Sequence, residues 1–240
     1  MSCRRQCVLL SMLLAGVLSG CSSSLGKPGP NSVTLAPAQI LDFGQLYSAN
    51  CAGCHGVSGR GGAAIAVANP VYLAIADDAV IRKVVSNGVP GTAMPAFAQS
   101  AGGMLTDQQI EIIAKGVRSR WGSPVPGRGL PSYAPQSASN AARGQIAYAT
   151  FCEPCHGPGG RGGAKGSSIV DPSFLALVSD QGLRTIVLAG RSELGAPDFR
   201  ADVPGRAMTE QEVTDVVAWV ASHRVGDLGK PPADGAKSKQ

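Results

Sequence analysis

The chain has 240 residues, a formal net charge of +5, 44% hydrophobic but only 5% aromatic residues, and 32 glycines. So few aromatic side chains give a small domain little apolar surface to bury, and a core built of side chains alone would be thin. The charge is mild and there are no dense basic runs, which excludes a nucleic-acid binder; Arg118, Arg120 and Arg128 come nearest to a cluster and read as a solvated helix end.

Arg4 and Arg5 precede a short apolar run, Val8 to Leu18. The run is too short to span a bilayer comfortably and reads as an export signal over residues 1–20. It ends in Leu18-Ser19-Gly20-Cys21, which resembles the lipobox of bacterial lipoproteins. The resemblance implies acylation of Cys21, which would become the first mature residue and hold the chain to a membrane without a spanning helix. An ordinary secretory signal cleaved nearby is the alternative. Ser22 would imply outer-membrane sorting in a proteobacterial host. Loss of residues 1–20 removes Arg4 and Arg5 and leaves 19 basic against 16 acidic residues. Residues 21–37 are rich in Ser, Gly and Pro and read as a flexible tether.

A first helix is predicted over Ala38 to Asn50, with Ile40, Phe43, Leu46 and Tyr47 on one face. It leads into Cys51-Ala52-Gly53-Cys54-His55, and the pattern returns as Cys152-Glu153-Pro154-Cys155-His156 after a helix predicted over Ala141 to Phe151. Cys-x-x-Cys-His is the attachment site of a c-type haem. Two thiols three positions apart can each form a thioether to one porphyrin, and the adjacent histidine supplies the proximal nitrogen to iron. Zinc, a thioredoxin-like redox pair and a structural disulfide are the competing readings. Zinc would want four converging ligands, and the pairs lie far apart. No βαβ pattern surrounds either pair. A disulfide does not explain why His follows both pairs when the chain holds three His in all. Of the seven cysteines, Cys3, Cys7 and Cys21 belong to the export segment and the other four form the two pairs.

The halves superpose with a shift of about one hundred residues, the mark of an internal repeat. Tyr47 matches Tyr148, and Gly59-Arg60-Gly61-Gly62-Ala63 matches Gly160-Arg161-Gly162-Gly163-Ala164. Pro70, Arg82, Gly88, Pro95, Phe97 and Thr106 match Pro172, Arg184, Gly190, Pro197, Phe199 and Thr209. After each glycine-rich loop a middle helix is predicted. It starts at Asp77 or Asp78 in copy one and at Ser179 or Asp180 in copy two, and stops at Gly88 or Gly190 in the left-handed conformation. Thr106 with Gln109, and Thr209 with Glu212, form capping boxes that open the last helices. Residues 122–141 form a semi-stiff Pro/Gly-rich linker and residues 226–240 a disordered tail. No strand is predicted.

Helix, Cys-x-x-Cys-His, glycine-rich loop, short helix, Met-Pro loop and final helix together resemble class I cytochrome c. The resemblance implies an all-α fold of two tandem domains, residues 38–121 and 142–225, carrying two haem c groups. Met94, in Gly91-Thr92-Ala93-Met94-Pro95, would be the second iron ligand of the first haem, its soft thioether favouring the ferrous state. The other reading of Met94 is a core filler. Met104, just before the cap Thr106, is expected to pack at the start of the last helix.

Copy two departs from the pattern, because Ala196 stands where Met94 does. Met208 aligns with Leu105 and is expected to act as a hydrophobic staple, though it remains the weaker candidate for the second iron. His223, aligned with Arg120, is the other candidate and reads as solvated. The second haem is therefore expected to lack a firm methionine ligand. Arg60 and Arg161 are candidates for haem propionates or for solvent, and the carbonyls of Pro70 and Pro172 are expected to accept the second N–H of His55 and His156.

The leading expectation is a lipid-anchored dihaem electron carrier on the periplasmic side of the cell envelope. It would dock transiently with redox proteins or a membrane respiratory complex, with no nucleic-acid partner. The alternatives are a haem enzyme or small-ligand sensor at an open second haem, and a fixed subunit of a respiratory complex. Peroxide chemistry would need a distal base and a cation, for which His223, Glu193, Arg191 and Arg200 are the candidates.

Overall fold

The structure, a computed structural model, describes residues 35–125, 129–200 and 205–225. The export segment with Cys21 and Ser22, nearly all of the tether, Arg128 and the tail lie outside them. Pro37–Gln39 makes a short 3-10 turn, closed by Ala36 N–H donating to Gln39 Oε1 at 3.0 Å, in a unit that ends at Gln39. From Ile40 onward the described residues form one compact unit. They are helical, with two isolated bridges and no strand. No helix among them is long and apolar enough to cross a membrane.

Copy one has five helices: α1 (Phe43–Asn50), α2 (Ala52–His55), α3 (Pro70–Ile75), α4 (Asp78–Asn87) and α5 (Asp107–Trp121). Copy two repeats them as α6 (Ala141–Phe151), α7 (Glu153–His156), α8 (Pro172–Leu177), α9 (Asp180–Ala189) and α10 (Glu210–Ala221). The first helix starts later than expected. Asp42 takes extended angles and its side chain accepts from Gln45 N–H, so α1 begins at Phe43 rather than Ala38. Asp77 and Ser179 cap the middle helices, and both capping boxes form.

Gly88 and Gly190 end the middle helices at positive φ, but not in the left-handed helical region. Their φ/ψ are 64/−165° and 68/−178°, an extended region open essentially to glycine alone. The chain must double back there. A Cβ on Gly88 would lie 2.6 Å from Met94 O and Ala96 N, and one on Gly190 would lie 2.6 Å from Pro197 O.

α3 and α8 were not anticipated, although their signal is present. Asn69-Pro70 and Asp171-Pro172 each place an Asx cap before a proline at the first helical position. Asn69 has a second role. Its Oδ1 accepts from Val71 and Tyr72 N–H, while its Nδ2 donates to Ala189 O at 2.7 Å across the contact between α3 and α9. Asp171 caps Ser173 and Phe174, and its carboxyl group has no amide N–H to donate across such a bridge.

The repeat also fixes how the first and last helices cross, by opposite means. Phe43 of α1 faces Gly116 of α5, where a Cβ would meet the ring at 2.1 Å. In copy two the matching positions hold Gly144 on α6 and Trp219 on α10, with a glycine Cβ 2.0 Å from Asp215 O and 2.8 Å from Trp219 Cβ. Bulk and gap have changed helices. Tyr47 meets Trp121 edge-on at 4.9 Å, whereas Tyr148 stacks on Trp219 at 4.2 Å.

Arg118 is not a solvated helix end. It donates to Asp78 Oδ1, Leu73 O and Ala76 O at 2.5–2.6 Å, closing the end of α3 against the start of α4. Arg224 does the same in copy two with Leu175 O, Asp180 and Val178 O. The carbonyls ending a short helix have no partner of their own, and a guanidinium fork satisfies them.

Part of the linker is docked. Arg184, with 2% exposure, donates to Ser132 O, Tyr133 O and Thr214 Oγ1 and pairs with Glu210. Gln181 Nε2 donates to Tyr133 O at 2.8 Å, and Ser132 N–H to Glu210 at 3.3 Å. Its counterpart Arg82 makes only an exposed pair with Glu111. Arg184→Met is expected to cost about 3 kcal/mol, since it breaks a buried charge cluster. It should also free residues 130–133, detected as faster amide exchange at Tyr133, whereas Arg82→Met should leave both unfolding and exchange nearly unchanged.

Candidate haem sites

Cys51 closes α1 and opens the one-turn helix α2; Cys152 does the same between α6 and α7. Within one turn the first cysteine, the second and the histidine stand at i, i+3 and i+4 and so share a face. Among the described residues, the four cysteines of the two motifs are free thiols. Burial, then the neighbouring thiol, pushes Cys51 and Cys152 up to about 11. Among the described residues no three His, Cys, Asp or Glu side chains converge as a metal site, so zinc has no ligand set there.

His55 Nδ1 is bonded to Ile65 O and His156 Nδ1 to Ser167 O, each at 2.8 Å. These carbonyls, not those of Pro70 and Pro172, orient the rings. They lie in the glycine-rich loops, which curl back over the motif before the proline is reached. The bond leaves Nε2 of each imidazole as the nitrogen available to iron. Burial lowers the His55 pKa and keeps the ring neutral, the form that ligates a metal.

The glycines make that approach possible. Gly56, at φ 81°, would place a Cβ 1.9 Å from Arg60 O; Gly157, at φ 72°, would place one 2.1 Å from Gly162 O. A Cβ on Gly62 would stand 2.1 Å from Cys54 O, and one on Gly163 2.6 Å from Cys155 O. Tyr47 Oη donates to Gly56 O at 2.9 Å and Tyr148 Oη to Gly157 O, so the tyrosine four residues before each motif ties the loop to the first helix. Thiol pair, oriented imidazole and close backbone cradle fit a covalently held haem at both sites.

Arg60 is exposed and donates to Ala68 O at 2.8 Å; Arg161 is exposed. Met94 ends a tight loop in which Val89 N–H donates to Met94 O at 3.0 Å and Thr92 Oγ1 accepts from Met94 N–H at 3.2 Å. Met104 does not pack at the start of α5. It is 79% exposed, because Leu105 turns inward there and fills the core. Met208 is 7% exposed and sits in the core. His223 is half-buried rather than solvated. Its Nδ1 is bonded to Trp219 O at 2.8 Å and its ring lies edge-on to Trp219 at 4.6 Å.

The two sites adjoin each other. Arg191, in the loop after α9, donates to Gly62 O of the first glycine-rich loop at 2.9 Å and pairs with Glu193 at 2.5 Å. Burial opposes ionisation of Glu193, but hydrogen bonding from Arg191 and the charges of Arg191 and Arg60 outweigh it and hold the carboxyl below its usual value.

A helical fold carrying such a site twice is that of a tandem cytochrome c. The family described as cytochrome c oxidase, cbb3-type, subunit III matches residues 38–115 and 139–220, well over half of the chain. The chain belongs to that family, and so to the haem-binding electron-transfer proteins. No curated protein matches it. Among solved structures, the Kuenenia stuttgartiensis reducing HAO-like protein complex contains a chain with 18% identity and a TM-score of 0.42; the match covers 80% of this chain and 100% of that one.

Proposed function

We propose that the protein is a lipid-anchored dihaem cytochrome c that relays single electrons at the periplasmic side of the cell envelope. The observation that carries this reading is the duplicated site. Each copy presents two free thiols on one helical turn and a histidine oriented through Nδ1 toward a loop carbonyl. Cys51, Cys54 and His55 would hold the first haem, with Met94 as its second axial ligand. Cys152, Cys155 and His156 would hold the second. When bound, haem iron supplies a one-electron couple whose potential depends on the axial ligands and on burial.

The chain's own contribution is positioning. α2 and α7 bring thiols and imidazole to one face, the loop carbonyls orient each histidine, and Asn69 and Arg191 keep the two copies in contact. The export signal and Cys21 support a membrane anchor, which concentrates the carrier near membrane partners. The family's description names an oxidase, which favours an oxidase as acceptor and also the reading of a fixed oxidase subunit over a free shuttle. Exported full-length protein should stain for haem on a denaturing gel and give two redox transitions in a spectroscopic titration. A colourless chain would refute the proposal. Copurification with an oxidase through detergent extraction would mark a fixed subunit.

A further inference from the structure

We propose that copy two supplies no side chain to the distal side of its haem iron, and that this site binds a small neutral diatomic ligand such as carbon monoxide. The inference rests on the dihaem reading above and concerns only the second site.

The hydrogen bonds establish the register. Val89 N–H donates to Met94 O at 3.0 Å in copy one, and Arg191 N–H to Ala196 O at 2.9 Å in copy two. The Cβ positions of Gly88 and Gly190 press on the same two residues, Pro95 with Ala96 and Pro197 with Asp198. Farther along, Leu105 N–H donates to Phe97 O at 2.8 Å and Met208 N–H to Phe199 O at 2.9 Å. Ala196 therefore occupies the place of Met94, and Met208 that of Leu105, a core position in both copies.

Among the described residues of copy two, the remaining candidate donors are placed elsewhere. His223 lies at the end of α10 with its ring edge-on to Trp219, which stacks on the Tyr148 tied to Gly157 O beside the proximal His156; its place is with the groups that hold the proximal loop. Lys165 lies between His156 and Ser167, in the loop that orients the proximal ring. Residues 201–204 are Ala, Asp, Val and Pro and hold no His, Met, Lys or Cys.

The same contacts select the class of ligand. Splitting a peroxide bond needs a base and a cation over the iron. Arg191 is bonded to both Glu193 and Gly62 O, and Arg200 is paired with Asp198. A neutral diatomic needs neither group. Carbon monoxide donates a carbon lone pair to ferrous iron, and no bond in the chain breaks.

The test is a carbon monoxide titration of dithionite-reduced, full-length exported protein whose two haems have first been verified by stoichiometry. One equivalent per chain is expected, read in the Soret difference spectrum. Met208→Leu should bind the same equivalent, and Ala196→Met should bind none. A two-haem protein that takes up no carbon monoxide overturns the inference. So does a Met208→Leu variant that binds where the unaltered chain does not, since Met208 would then be the ligand. A chain with no haem refutes the dihaem reading instead.

Discussion

Gly62→Ala is expected to leave the chain with one haem, at the second site. The added Cβ would stand 2.1 Å from Cys54 O and 2.7 Å from Gly56 N. Both are backbone atoms, so no side chain can swing aside. Cys54 O already accepts from Ala64 N–H at 2.9 Å, the bond that folds the loop onto α2. Either that bond opens or α2 shifts. In both cases Ile65 O moves away from His55, and the imidazole loses the contact that orients it. Overpacking of this kind costs about 1–3 kcal/mol, and here it falls on the attachment turn itself. Gly53→Ala is the control. It lies between the two cysteines of the same motif, yet its Cβ would meet nothing within 4 Å, and alanine favours the helix by about 0.5–1 kcal/mol. Haem per chain, measured after denaturation, should fall from two to one for Gly62→Ala and stay at two for Gly53→Ala. Equal haem content in the two variants would mean that the loop does not govern attachment.

That contrast illustrates what could be read from the residues alone. The motif, the repeat and the capping boxes are local patterns, so Cys51, His55, Thr106 and Thr209 carry their meaning in a few neighbours. Asn69 and Arg184 do not. Asn69 reads as a helix cap, and only the fold puts Ala189 O within reach of its amide. Arg184 aligns with an exposed arginine, and only the docked linker explains its burial. The histidine acceptors are not legible in the sequence for the same reason: the loop between His55 and Pro70 folds back early, and Ile65 arrives first. The gap at Ala196 shows in the sequence itself, because the internal repeat places Met94 beside it. The commitment of Met208 to the core shows only in the fold.

Gly144→Ala is expected to destabilise copy two more than any other single methyl group added to its helices. Among the described residues α6 and α10 make the most extensive helix contact, and Gly144 lies at the crossing. Its Cβ would come 2.0 Å from Asp215 O, again backbone. The crossing cannot open freely, because the Asp215 side chain accepts from Asn140 N–H at 2.6 Å and from Arg143 at 2.7 and 3.0 Å, fixing the start of α6 to the middle of α10. A loss of about 3 kcal/mol is expected, or a fall in Tm of about 6–12 °C for a chain of this size. Gly116→Ala meets a different obstacle, the Phe43 ring at 2.1 Å, which belongs to a side chain. Shortening that side chain should therefore restore what the methyl group removes. In a double-mutant cycle, Phe43→Ala with Gly116→Ala should be more stable than the sum of the single losses by about 1–3 kcal/mol. No side-chain truncation should rescue Gly144→Ala in the same way. Thermal unfolding of the four variants decides it: additive losses at Phe43 and Gly116 would mean that the helices shift apart instead of meeting at ring and gap. Because the two copies reach the same crossing with bulk and gap on opposite helices, exchanging α1 for α6 should juxtapose Phe43 with Trp219 and leave Gly144 opposite Gly116. Both hybrids should fail to pack, although the two helices lead into the same haem motif.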